Sequence, residues 1–264
     1  MDAVLYAVRD KVATLTLNRP QSLNAVNPAM ISALLAASRR AAADPGVRAV
    51  IVCAAGDHFM AGGDLKWFRE QTLEPGEQSA RRTDELIVAV QAAVQIFKEM
   101  DKPVVAAVHG AVAGFGLSLM LAADLVVAAD NAYFTLAYSK IALSPDGGAT
   151  WSLARHVGLK QAMEIALLGD RFDAPRAREL GLVNRVVAPG ELAAEAFKLA
   201  ARLAAGPSAA LARTKALLNT SCDNTLLAQL AAERRDFSAC AADPDFAEGL
   251  AAFFEKRKAI YRPD

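Results

Sequence analysis

Apolar residues alternate with polar ones over residues 4–8 and 12–17, on either side of Arg9-Asp10-Lys11, and this predicts a β-hairpin. Asn27 followed by Pro28 marks a helix start, and the alanine-rich segment behind it predicts a helix as far as Asp44-Pro45-Gly46. Residues 47–54 form an unbroken apolar run that reads as a buried strand. A short helix is expected over 65–70, then a polar loop over 70–79. Leu86, Val90, Val94 and Phe97 fall at helical spacing and predict a helix over 80–100, ended by Lys102-Pro103. Residues 104–108 and 125–129 are again strand-like, with a helix reaching about Ala123 between them. Strands alternating with helices in this way predict parallel βαβ units. Beyond Ala149 helical patterning dominates, broken by a strand over 182–187. From Glu191 onward four helices are expected, separated at Gly206-Pro207, at 220–224 and at Asp243-Pro244.

Two glycine turns punctuate this pattern. Phe59-Met60-Ala61-Gly62-Gly63-Asp64-Leu65 and His109-Gly110-Ala111-Val112-Ala113-Gly114-Phe115-Gly116-Leu117 each follow a strand and open a helix. The first N–H groups of a helix lack intrahelical acceptors and sit at the positive end of its dipole. Two such donors aimed at one point make an oxyanion hole. An enzyme that stabilises an oxyanion is therefore expected.

Charge narrows the partners. Lysine plus arginine and aspartate plus glutamate both number 29, so nothing marks the chain for nucleic acid or an anionic membrane. Three cysteines, Cys53, Cys222 and Cys240, show neither metal spacing nor a disulfide framework, which fits a reducing, cytoplasmic setting. Residues 103–123 carry only His109 as an ionisable group, but Gly110, Gly114 and Gly116 interrupt the run, so strand, turn and buried helix are expected in place of a membrane span. The charged N-terminus does not read as a signal peptide. The second turn lacks the third glycine of a dinucleotide fingerprint and the closing glycine of a nucleophile elbow. The three histidines are not paired at metal spacing, and no metal site is expected.

One carboxylate stands out. Asp146 lies in Ser144-Pro145-Asp146-Gly147-Gly148, at the start of a helix. It reads equally as a helix cap or as a general base whose pKa burial raises.

Asn18-Arg19-Pro20 with Leu23-Asn24-Ala25, the Phe59–Leu65 turn, the stretch 110–124, Ala177-x-Glu179-x-Gly181-Leu182-Val183 and Phe254-Glu255-Lys256-Arg257-Lys258 together resemble the crotonase superfamily, the enoyl-CoA hydratase/isomerase family, over nearly the whole chain. The resemblance implies an α/β fold: a spiral of repeated ββα units over 1–190 and a helical C-terminal trimerisation region over 191–264. It implies an acyl-CoA thioester substrate, no further cofactor, and a homotrimer or dimer of trimers. It places the N–H groups of Gly63 and Phe115 on the enolate oxygen. It also sets Leu23, Ala25, Ala61, Gly62, Asp64, Leu65, Gly114 and Tyr138 along the substrate, and brings Phe253 and Lys256 to the adenine end of CoA.

Hydratases of this family carry a glutamate where Ser118 stands and another where Tyr138 stands. Asp146, in contrast, falls where isomerases resembling those of the phenylacetate pathway have their catalytic aspartate, and Thr150-Trp151 and Leu153-x-Arg155 extend that likeness. Isomerisation of an enoyl-CoA is thus the leading expectation. A hydratase of unusual mechanism and a catalytically silent CoA-binding protein stand as alternatives. Dehalogenases of the family also place an aspartate here but use a histidine at the position of Gln91. Phe115 departs from the small residue usual at its position.

Other candidates have plainer readings. His58 is expected to face solvent, His109 to be satisfied within the fold, His156 to end a helix, and Asp64 to cap the helix that follows it. Asp124 is expected to serve an internal hydrogen bond. Phe59 and Trp67 read as core. Phe237, Phe246, Phe253 and Phe254 are too many for a free-standing tail to expose, so they are expected to pack on the core or on another subunit.

Overall fold

The computed structural model describes residues 2–73 and 76–261. Strands β1 (Val4–Arg9) and β2 (Val12–Leu17) form the expected antiparallel hairpin. Helix α1 (Pro28–Ala43) follows, capped by the Asn27 side chain, which accepts from the Met30 N–H at 3.0 Å. Next come β3 (Ala49–Ala54), α2 (Leu65–Leu73), α3 (Glu77–Glu99) and β4 (Val104–Val108), then β5 (Ala111–Ala113), α4 (Phe115–Ala122), β6 (Leu125–Ala129) and β7 (Tyr133–Thr135). Helices α5 (Ala149–Val157) and α6 (Leu159–Leu168) lead to β8 (Phe172–Asp173), α7 (Ala174–Glu179) and β9 (Arg185–Val187). Helices α8 (Leu192–Ala204), α9 (Ser208–Thr220), α10 (Leu226–Ala241) and α11 (Pro244–Glu255) end the described chain.

The main sheet has the order β1-β2-β3-β4-β6-β9, parallel after the first hairpin. Successive side chains of a strand point to opposite faces, and here both faces are covered. Val50, Val52, Val104, Ala106, Val126 and Ala128 face the large core with α1 and α3, whereas Ala49, Ile51, Val105, Ala107, Val127 and Ala129 face α8. That is why these strands read as continuous apolar runs. Helix α8 supplies Leu192, Ala196, Leu199, Ala200 and Ala204 to the second layer, so part of the 191–264 segment belongs to the packed sheet.

A second, smaller sheet, β5-β7-β8, lies at the C-terminal ends of the main strands. Isolated bridges Val26↔Gly63 and Met60↔Val112 extend the same pattern to the earlier repeats. Each long strand is thus followed by a short extended piece and then a helix, which is the ββα spiral. The plain βαβ reading missed these pieces because two or three residues inside a glycine turn carry no visible period.

Other departures have local causes. The polar loop expected over 70–79 is mostly helix, since α2 runs to Leu73 and α3 begins at Glu77. Glu74 and Pro75 lie outside the described residues. These helical turns bury little and so show no apolar period; an exposed Arg81–Glu85 pair at i,i+4 supports α3 there. The strand expected over 182–187 is shorter, because the Leu182 N–H turns back to the Ala177 carbonyl past Gly181 at φ 75° and closes α7. Among the described residues no helix is long and apolar enough to cross a membrane.

The last three helices stand apart from the sheet. Helices α9 and α10 bury no residue, and Phe237, Phe246, Phe253 and Phe254 are 75%, 47%, 76% and 77% exposed. They were expected to pack on the core or on another subunit, and their exposure shows that this chain's own core does not cover them. Polar contacts hold α9. Lys215 Nζ meets Asp124 Oδ2 at 2.9 Å and donates to the carbonyls of Phe97 and Lys102, while Asn219 Nδ2 donates to that of Lys98. Two of these carbonyls belong to the last turn of α3, where helical partners run out. Lys215→Met is expected to cost about 3 kcal/mol by leaving the Asp124 charge without its cation, the low end of the range for a broken buried pair. Urea unfolding of the purified protein measures it.

Candidate active site

The two glycine turns meet backbone to backbone. The Phe59 N–H donates to the His109 carbonyl, Met60 to Ala111, and Ala113 back to Met60, at 2.8–3.0 Å. Gly62 and Gly114 then touch: a Cβ on Gly114 would lie 3.3 Å from Gly62 Cα, and one on Gly62 would lie 3.2 Å from the Ala113 carbonyl oxygen. Both have positive φ, 96° and 51°, which glycine adopts freely. One residue beyond each contact stand Gly63 and Phe115. Among the described residues, neither N–H has a hydrogen-bond acceptor in the protein.

A loop clasps the first turn. The Ala61 N–H donates to the Leu23 carbonyl, Val26 to Gly62, and Asp64 to Val26. Leu23 takes φ 52° and is exposed, Ala25 is buried, and Leu65 is exposed at the start of α2. Asp64 Oδ1 caps α2 through the N–H groups of Lys66 and Trp67, while Oδ2 pairs with Arg19 at 3.1 Å, both side chains largely buried. The buried Asn24 donates to the carbonyls of Ala55 and His58 and accepts from the Arg19 N–H. The Arg19 and Asn24 bonds were not foreseen as a framework, although the Asn18-Arg19-Pro20 and Leu23-Asn24-Ala25 motifs were their visible trace.

Against the second turn lies the carboxylate. The Tyr138 hydroxyl, on a 3₁₀ segment (Tyr138–Ile141), donates to Asp146 Oδ1. A Cβ on Gly147 would meet the Phe115 ring at 2.8 Å and Ser118 Cβ at 3.0 Å, so the Asp146-Gly147 turn sits directly over the start of α4. A Cβ on Gly114 would come within 4.0 Å of the Tyr138 ring. Burial pushes the Asp146 carboxyl above the usual carboxylate range, partly opposed by the Tyr138 hydrogen bond. Burial and the adjoining Asp146 charge drive Tyr138 upward, so its hydroxyl keeps its proton. Asp146 makes no side-chain cap to α5, whose N-cap is Gly148.

The remaining candidates divide. His58 does not face solvent: half-buried, its Nδ1 accepts from the Ala111 N–H at 3.1 Å and braces the second turn. His109 Nε2 engages the Gly56 carbonyl and His156 Nδ1 that of Ser152. Phe59 is fully buried, Trp67 packs on the core, and the Phe115 ring is 1% exposed, lying beneath Gly147. Phe253 and Lys256 do not join the site of their own chain. The residues just after α11, Lys258 to Tyr261, line a groove with Lys11 and Arg48, which precede β2 and β3. The glycine turns follow the other ends of β3 and β4, about 17 Å along a strand of this length. What the cluster offers chemically is two backbone N–H groups without a protein acceptor among the described residues, one residue beyond the contact of the turns, and one desolvated carboxyl over the start of α4.

Such a layout on a ββα spiral suits acyl-transfer or proton-transfer chemistry. The sequence model of the enoyl-CoA hydratase/isomerase family matches residues 8–263. The 1,2-epoxyphenylacetyl-CoA isomerase of Escherichia coli is 36% identical over 257 residues, 97% of each chain. A Rhodobacter capsulatus protein named "Probable enoyl-CoA hydratase" is 37% identical over 254 residues, 96% of this chain and 95% of that one. The crystal structure of an enoyl-CoA hydratase from Polaromonas superposes with a TM-score of 0.92 at 39% identity, covering 98% of this chain and 99% of that one. This chain belongs to the enoyl-CoA hydratase/isomerase family of the crotonase superfamily, enzymes acting on CoA thioesters.

The contact between the turns is sensitive to a single methyl group. A Cβ on Gly116 would lie 2.4 Å from the Met60 carbonyl oxygen, so Gly116→Ala must push the turns apart. Turnover is expected to fall about 10²-fold, the size of one lost oxyanion donor. Steady-state kinetics on a CoA thioester, with circular dichroism to confirm the fold, measure it.

Proposed function

We propose that this enzyme shifts the double bond of an enoyl-CoA. The observation that carries the reading is the buried carboxylate of Asp146 over the start of α4, with Ser118 and Tyr138 where the family's hydratases carry glutamates. The thioester carbonyl oxygen sits between the N–H groups of Gly63 and Phe115, each contributing about 3 kcal/mol by comparison with a single removed oxyanion donor. Asp146 takes a proton from C2 of a 3-enoyl-CoA, and the electron pair moves onto the carbonyl oxygen as a dienolate. Return of that proton to C4 leaves the double bond between C2 and C3. One base suffices for this sequence. Adding water would require further groups to hold and deprotonate it, and a tyrosine that keeps its proton with a serine supplies no second carboxylate.

The CoA is part of the substrate, and the reading assigns no other cofactor or metal. Leu23, Ala25, Ala61, Gly62, Asp64, Leu65, Gly114 and Tyr138 are assigned to the substrate-facing patch. The exposed phenylalanines of α10 and α11 favour a homotrimer or a dimer of trimers formed through the C-terminal helices. Because the chain that follows them, Lys258 to Tyr261, runs to the strand ends opposite the glycine turns, the assignment of Phe253 and Lys256 to the adenine end of CoA calls for a neighbouring copy.

Asp146→Asn is the test. It is expected to lower isomerisation of a 3-enoyl-CoA by about 10²–10⁴-fold, the usual contribution of a positioned acid–base group. Retained isomerisation in the variant rejects the assignment. Hydration of crotonyl-CoA by the wild-type protein, followed as loss of thioester ultraviolet absorbance, would favour the hydratase reading instead.

The direction of the Asp146 shift sets a pH profile. The base must be ionised to act, and its pKa is raised. Activity is therefore expected to fall as pH drops through a value above the ordinary aspartate range of about 3.9, and kcat/KM against pH records that limb.

A further inference from the structure

Phe115 enters the reaction just described through its N–H alone, yet its side chain is large, buried and set against the carboxylate turn. Helix α4 begins at this residue, and its first turn is gripped on two sides. On one side, the space that a Cβ on Gly116 would need is taken by the Met60 carbonyl of the first glycine turn. On the other, a Cβ on Gly147 would lie 2.8 Å from Phe115 Cδ2, 3.0 Å from its Cε2 and 3.0 Å from Ser118 Cβ. Residues 115 and 118 share a helix face, whereas 116 is turned about 100° away from 115.

The Asp146 turn has little of its own to hold it. Gly147 and Gly148 take φ 49° and 76°, and the backbone bond that closes the turn, from the Ala149 N–H to the Asp146 carbonyl, is long at 3.4 Å. Ser118 is buried against it but gives it no hydrogen bond, for its Oγ has no partner among the described residues. The groups packed on the turn are Tyr138, whose hydroxyl donates to Asp146 Oδ1, Val94 of α3 against Gly148, and Phe115 with Ser118 from α4. Of these Tyr138 alone titrates, and the closest approach of all is that of the Phe115 ring.

We propose that the Phe115 ring is the spacer that sets Asp146 against the oxyanion donors, so that one residue gives its N–H to the enolate oxygen and its side chain to the placing of the base. The inference rests on the reading of Asp146 as the base and of the two N–H groups as the oxyanion hole. The ring is a positioning group, since a residue 1% exposed has almost no surface to offer a substrate. An aromatic ring suits the task, having few rotatable bonds and, in a close-packed interior, no room to shift without opening a void. Donor and support leave the same residue, so the separation of hole and base is set by one side chain and one contact. The reaction needs that separation held: the base must reach C2 and then C4 while the oxygen stays in the hole, and a misplacement of about 1 Å costs about 10²-fold.

Glycine at 147 is thus matched to phenylalanine at 115, and changing either size breaks the match. Phe115→Leu keeps the N–H and removes the ring edge beneath Gly147. Its kcat on a 3-enoyl-CoA is expected to fall about 10- to 100-fold with KM changed less than about threefold, the pattern of an interaction that acts in the transition state. Water gains access to the loosened turn, so the Asp146 pKa is expected to fall by about half a unit toward its ordinary value. Gly147→Ala overfills the same contact and is expected to lose a similar factor in kcat. Adding Phe115→Leu to Gly147→Ala is expected to return at least about threefold of the lost activity, where independent effects would lower it further. Both of these carry the same strain of an alanine at positive φ, so it cancels in the comparison.

The experiment is steady-state kinetics on the three variants, with circular dichroism to confirm the fold, and a titration of the Asp146 carboxyl by difference infrared spectroscopy, its band assigned by loss in Asp146→Asn. If the leucine variant does not fold, Phe115→Met, closer in volume but flexible, takes its place. A lowered kcat, a lowered pKa and recovery in the double variant support the spacer. An unchanged carboxyl titration, or a double variant no more active than Gly147→Ala, overturns it. Asp146→Asn separates the two claims. Full isomerisation in that variant removes the base itself, whereas its inactivity beside an unaffected Phe115→Leu removes the spacer alone. The infrared titration needs no turnover and reads the spacer even where no 3-enoyl-CoA is isomerised.

Discussion

Backbone touches backbone where Gly62 meets Gly114, with no side chain between them, and the geometry of the site descends from that contact. Three ladder bonds from Phe59, Met60 and Ala113 bring the turns into register, and two positive φ values let each chain bend away immediately afterwards. Among the described residues, both N–H groups that emerge, Gly63 and Phe115, lack an acceptor because the strands have ended and the helices have not yet supplied one. The donors are thus a by-product of how a strand hands over to a helix at a crowded point. Met60 shows how little slack exists: its carbonyl occupies the space that any side chain at position 116 would need.

The main sheet sets where such a point can occur. Parallel strands β3 and β4 end together, so their following turns leave from the same edge and lie side by side. The second short strand of each repeat keeps them there, since Met60↔Val112 and Val26↔Gly63 continue the smaller sheet across the repeats. Arg19 and Asn24 then hold the first turn from the outside, and His58 braces the second by accepting the Ala111 N–H. Polar side chains here satisfy backbone groups that the irregular turns leave over, which is what buried irregular chain requires.

Much of this was legible where burial imposes a period. The two-faced strands appeared as apolar runs, α1 showed its start at Asn27-Pro28, and α3 showed its apolar stripe at Leu86, Val90, Val94 and Phe97. The pieces that escaped were those for which burial imposes no pattern: β5, β7 and β8 are too short, and the first turns of α3 are exposed. The glycine turns announced two donors, but their contact through Gly62 and Gly114 is a tertiary fact. Asp146 was visible by its turn, whereas its bond to Tyr138 and the isolation of Ser118 depend on a loop with two left-handed alanines that no local rule favours. The phenylalanines of α10 and α11 were recognised as needing cover. That the chain's own core does not provide it follows only from α9 being pinned by Lys215 and Asn219 to the end of α3.

That pinning bears on the site as well. Asp124 and the last carbonyls of α3 receive α9 from one side, while Val94, earlier on α3, lies against Gly148 beside the Asp146 turn. One helix therefore joins the anchor of the C-terminal arm to the carboxylate segment. The arm itself leads away, and the chain after α11 reaches the strand ends opposite the glycine turns. On the proposed reading of a CoA thioester bound by an oligomer, a neighbouring copy would present the aromatic end of α11 to the nucleotide end of the substrate. It would also cover the phenylalanines, so assembly and substrate binding would draw on the same exposed surface.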